Sequence, residues 1–178
     1  MTALAPRLSR AYNVLGVISD QTGDSASARK YFEKAIELNP RSKAALLNLI
    51  KLSMLDKQYD RALAFLERYR AGTRDSAEVH GIAANAHLNL GRYREAIEEA
   101  HAAHNLPHAN WEGVHAIAAT AYEAIHQPEM AAAEYRQYMD ETSNPSIRTE
   151  AARRIRELAA RAQHGAPSVP MNSLLPQQ

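Results

Sequence analysis

The chain has 178 residues, 46% of them apolar, enough to bury a core of its own. Twenty-one Lys and Arg stand against 20 Asp and Glu, a net charge of +1, so the concentrated basic surface that nucleic-acid binding needs is not expected. No apolar run is long enough to span a bilayer, and the absence of cysteine excludes a disulfide framework, a thiolate metal site and thiol catalysis.

The stretch from Tyr12 to Pro40 sets the pattern. Ala28, Phe32 and Ala35 fall on one helical face, because steps of three and four residues return to the same side. Gly23-Asp24 interrupts the middle, so the unit reads as two short amphipathic helices, at about 7–21 and 25–38, joined by a tight turn. Tyr12, Leu15, Phe32 and Ile36 are its expected core, and the small Gly16 and Ala28 let the helices approach closely. The unit then recurs. Ala28, Ala62 and Ala96 are 34 residues apart and Ala131 follows 35 later, a period that predicts a helical solenoid.

The second unit carries Leu46, Leu49 and Ile50, then Tyr59, Ala62, Leu66 and Tyr69, with Gly72 expected to stop its second helix. In the third, His80, Ala83, Ala84 and His87 precede the run Leu90-Gly91-Arg92-Tyr93-Arg94-Glu95-Ala96, with Ala100, Ala103 and Pro107 after it. The fourth has His115, Ala118, Ala119 and Tyr122, then Ala131, Tyr135 and Tyr138. Pro128 fits the first turn of its second helix, where a missing N–H costs nothing. Pro145 closes that unit, and a last helix runs from Ser146 to about Gln163. Its apolar stripe is Ile147, Ala151, Ile155, Leu158 and Ala162, with Arg148, Arg153, Arg156 and Arg161 facing elsewhere. A polar outer face of this kind suits the end of a solenoid. The tail APSVPMNSLLPQQ is Pro-rich, has no charged residue, and is expected to be disordered.

A large residue, Leu and Gly in the first helix (Tyr12, Leu15, Gly16), Ala, a large residue and Ala in the second (Ala28, Phe32, Ala35), and Pro at the exit (Pro40) resemble the tetratricopeptide repeat. The resemblance runs over about 9–145. It implies an all-α, right-handed α-solenoid of about four helix pairs, at 9–42, 43–76, 77–110 and 112–145. A C-terminal capping helix at about 146–164 completes a domain of 1–165, before the tail of 166–178. Ile50 departs from the family pattern, which has a small residue there, so a local adjustment of helix packing is expected.

Functionally, the resemblance implies a concave groove lined by the first helix of each pair and suited to a peptide. Equivalent slots give three rows: Asn13, Leu47, Gly81 and Ala116; Val17, Lys51, Asn85 and Thr120; Asp20, Met54, Leu88 and Glu123. Gly81 and Ala116 leave room, Leu47, Met54 and Leu88 offer apolar contact, and Lys51, Asn85 and Thr120 can bond an extended backbone. The reading is a non-catalytic scaffold or adaptor for a protein or peptide, with no cofactor and no nucleic-acid or membrane partner. Its rival is the substrate-recruiting part of a larger enzyme such as a protease or glycosyltransferase. A clamp for a terminal carboxylate is not expected. Asn48 matches one of that subtype's residues, but Asn13, Val17, Glu78 and Ile82 do not supply the others.

Neither a Gly-rich phosphate loop, a nucleophile elbow nor a zinc-protease helix motif is present. His101, His104, His108 and His115 lie close in sequence, and His101 and His104 share a helical face. Without a strong spacing motif or an evident outer group to orient the rings, however, no metal site is expected. Packing between helices is the expected role of His80 and His115. The tyrosines at 59, 69, 93, 122, 135 and 138 mostly fill large-residue slots of the repeat, which favours core packing over base stacking. Finally, Pro6 stands 34 residues before Pro40, as if it closed a preceding repeat. The chain is therefore expected to be a C-terminal fragment of a longer solenoid. An uncovered end including Leu8, Val14 and Ile18 would then favour self-association through the N-terminal repeat.

Overall fold

The computed structural model describes residues 4–107 and 113–164; within them the chain is all-α, with nine helices and no strand. It divides into two compact units, Met1–Asp75 and Ser76–Gln178. The first holds α1 (Leu4–Gln21), α2 (Ser25–Leu38), α3 (Lys43–Leu55) and α4 (Tyr59–Arg70). The second holds α5 (Ala77–Asn89), α6 (Tyr93–His104), α7 (Gly113–Ala124), α8 (Pro128–Glu141) and α9 (Pro145–His164). Sequential helices pack as hairpins, α1 on α2, α3 on α4, α5 on α6 and α7 on α8, and α9 packs on α8. His108 and the tail of 166–178 lie outside the described residues.

The turn inside each pair shows the repeat in the backbone. Gly23 and Gly91 take left-handed φ values of +83° and +71°, and Lys57 and His126 take the equivalent places at 57° and 59°. A side chain in that region strains the backbone by about 1–2 kcal/mol, which glycine avoids. In the first turn, Asp24 also caps α2, its side chain accepting from the Ser27 amide at 2.9 Å.

In the first unit the core is Ala28, Phe32, Ala35, Ile36, Ala45, Leu46, Leu49 and Leu52, with Tyr12, Val17, Phe65 and Tyr69 packed against it. Gly16 is buried against Phe32. A Cβ built on it would stand 2.4 Å from the ring, so only glycine fits while the ring stays in place. The slot 34 residues on from Gly16 holds Ile50, also buried, and the slot equivalent to Phe32 holds the smaller Leu66. A larger residue on one helix is thus matched by a smaller one on the other.

Four expectations need correcting. Leu15 is no core residue: it is 43% exposed, because the face of α1 carrying Leu8, Leu15 and Ile18 is turned away from α2. Gly72 does not stop α4 by turning left-handed. Instead the Tyr69 carbonyl accepts from the Gly72 amide at 3.1 Å and from the Thr73 hydroxyl at 3.0 Å, which closes the last turn. Pro145 is the first residue of α9 rather than the close of α8, a position that needs no amide donor. Pro6, likewise, is helical inside the first turn of α1.

The second unit gathers the other core, from Ala84, Leu88, Ala96 and Ala100 to Tyr122, Tyr135, Ala151 and Leu158. On α9, Ala151 and Leu158 are buried and Ile147 and Ile155 pack beside them, whereas Ala162 is exposed. The inward face of α9 also carries an arginine, Arg154, which the apolar stripe does not reveal.

Candidate functional site

On α1, Asn13, Val17 and Asp20 lie four and three residues apart and share a helical face; Leu47, Lys51 and Met54 do the same on α3. Two polar contacts join these faces. Asn48 Nδ2 donates to Asn13 Oδ1 at 3.1 Å, and Lys51 Nζ lies 3.8 Å from an Asp20 carboxylate oxygen. Asn13, Val17, Asp20, Leu47 and Met54 are half-buried and Lys51 is exposed, so the surface offers both apolar and polar groups.

The equivalent positions of the second unit are more enclosed. Gly81, Leu88, Ala116, Thr120 and Glu123 are buried, and Asn85 is half-buried with its Oδ1 accepting from Asn89 at 2.8 Å. Leu88 belongs to the core. Glu123 spends both oxygens inside the protein: Oε1 accepts from the Tyr135 hydroxyl at 2.9 Å, and Oε2 accepts from the Arg154 guanidinium. Burial first, and then the Glu123 charge, push the Tyr135 phenol well above its ordinary pKa. Burial works against the charge on Arg154, but the bond to Glu123 outweighs it and holds the guanidinium firmly protonated.

Three of the four clustered histidines meet on α6 and α7. His115, 2% exposed, points Nδ1 at Glu134 Oε2 of α8, 2.7 Å away. The other Glu134 oxygen lies 2.9 Å from His101 Nε2. His115 Nε2 faces His104 Nδ1 at 3.1 Å and Glu141 Oε1 at 3.3 Å, and the His104 and His115 rings meet edge to face with centroids 4.6 Å apart. Burial opposes a charge on His115, yet the hydrogen bond to Glu134 and the nearby Glu141 carboxylate raise its pKa above the usual value. For Glu134, burial works upward, but the bonds from His115 and His101 prevail and lower it. His80 stands apart, with Nδ1 2.5 Å from Glu99 Oε2.

Sequence reasoning brought out the histidines and missed the glutamates. Their signal was present: Glu134 and Glu141 are seven residues apart on α8, hence on one face, as His101 and His104 are on α6.

The sequence model of the tetratricopeptide repeat matches residues 21–86. No curated protein matches the chain in sequence. Among solved structures, the MamA protein superposes with a TM-score of 0.71 at 18% identity, covering 92% of this chain and 98% of that one. YrrB, described as a TPR protein with an unusual peptide-binding site, gives 0.70 at 11% identity, over 85% of this chain and 76% of its own. PilF of Pseudomonas aeruginosa gives 0.69 at 18% identity, over 90% and 71%. At these identities the likeness is one of fold. Helix pairs repeating at the sequence period, a match to the repeat's sequence model across α2 to α5, and neighbours of the same architecture together give this chain the fold of tetratricopeptide-repeat proteins.

Proposed function

We propose that the chain is a non-catalytic scaffold that binds a peptide or protein segment on the α1 and α3 face of its first unit. The carrying observation is the mixed character of that face. Val17, Leu47 and Met54 are partly accessible beside Asn13, Asn48, Asp20 and Lys51, whose polar groups can exchange their mutual contacts for an extended backbone. Repeat solenoids present such surfaces to partners, and the name given to YrrB records a peptide-binding site in one fold relative. Selection from a displayed peptide library, followed by calorimetry on the best binder, tests the reading. Met54→Glu with Lys51→Ala should weaken that binder by roughly tenfold or more, about 1.4 kcal/mol, with helicity unchanged. Full affinity in this variant would remove the α1 and α3 face as the site.

A second reading concerns partners of the same kind. Leu8, Val14, Leu15 and Ile18 are all exposed on α1, an apolar edge that a second copy would cover in this reading. We expect a concentration-dependent rise in molar mass by light scattering that Leu15→Glu with Ile18→Lys abolishes. A constant monomer mass over the accessible range would end this reading.

A further inference from the structure

We propose that the second unit carries a divalent transition-metal site of the zinc class, with His104 Nδ1, His115 Nε2 and Glu141 Oε1 as its protein ligands. The proposal rests on geometry within α6, α7 and α8, and is independent of the scaffold reading. The three atoms stand 3.1, 3.3 and 3.6 Å from one another. A tetrahedral zinc ion with ligands about 2.05 Å away needs ligand–ligand edges of about 3.3–3.4 Å. An ion placed about 2.05 Å from all three atoms would sit roughly 0.7 Å off their plane, as the centre of a tetrahedron does off one face.

Proton chemistry points the same way. Glu134 faces His115 Nδ1, so in the neutral ring that gives this carboxylate its proton the Nε2 lone pair is aimed between His104 and Glu141. A single proton on Nε2 can serve one of those two neighbours, whereas a cation at the centre meets all three lone pairs. The outer contacts also fit. Histidine ligands commonly hand their second N–H to a carboxylate, which fixes the tautomer, and Glu134 does so while held by His101. Two imidazoles and one carboxylate suit Zn²⁺, Co²⁺ or Ni²⁺ better than the all-oxygen ions Mg²⁺ and Ca²⁺. His115 forms the buried floor, while the half-buried His104 and the exposed Glu141 form the solvent side.

The test uses the full chain without a polyhistidine tag, stripped with chelator and titrated with Co²⁺ alone, then with Zn²⁺ as competitor. The visible bands of four-coordinate cobalt should saturate at one equivalent and vanish as zinc displaces it. His104→Ala and Glu141→Gln, both on the solvent side and so compatible with folding, should each abolish the bands or weaken binding at least about tenfold. Glu134→Gln should weaken it by about 10–100-fold without removing a ligand. His126→Ala, at an exposed turn, should change nothing. Absence of saturable cobalt uptake by the parent chain, or uptake retained unchanged in both His104→Ala and Glu141→Gln, overturns the site.

Discussion

Replacing Arg154 with Met is expected to lower the unfolding free energy by about 3–5 kcal/mol. Arg154 is 11% exposed and reaches from α9 to Glu123 on α7, which is 7% exposed. Glu123 also accepts from Tyr135, so the three side chains close a buried polar network across α7, α8 and α9. Removing the guanidinium strands a carboxylate with little access to water, and that penalty exceeds what the pair contributes when intact. The diagnostic is therefore the double replacement. Glu123→Leu with Arg154→Met should recover part of the loss, because no buried charge remains and only the Tyr135 hydroxyl is left without its acceptor. Denaturant midpoints read by circular dichroism decide it: a single variant within about 1 kcal/mol of the parent, or a double variant no better than the single, refutes the network.

Gly16→Val should cost about 3 kcal/mol, at the upper end of what overpacking usually does. The added Cβ would meet Phe32 ring carbons at 2.4, 2.6 and 2.9 Å, and Phe32 is itself fully buried, so the ring has little space to yield. The gain in helix propensity on leaving glycine is below about 1 kcal/mol and does not offset a clash of that depth. Pairing the change with Phe32→Leu should restore part of the loss, since Ile50 and Leu66 already occupy the equivalent slots of the next helix pair. If Gly16→Val melts with the parent protein, the close approach of α1 and α2 is wrong.

The sequence by itself determined the helix pairs, their period and their inner faces. The α2 limits fall at Ser25 and Leu38 as read, and Ala28, Ala62, Ala96 and Ala131 are all fully buried. These features are local: a 3.6-residue period and a turn signal such as Gly23-Asp24 act through neighbours a few positions away. Tertiary structure decided what each face meets. Leu15 matched the repeat signature yet is exposed, because burial depends on what packs beyond α1 and not on α1 itself. Lys57 and His126 hold left-handed turns where the signal was glycine, since the packing of their helix pairs outweighs a small backbone strain. The groove reading of Glu123 could not foresee Arg154, 31 residues away on a helix whose apolar stripe passes over it. Nor could spacing find Glu141 beside His115, 26 residues apart. Periodicity reports the side of its own helix on which a residue lies; which side chain stands opposite is settled only when three helices pack together.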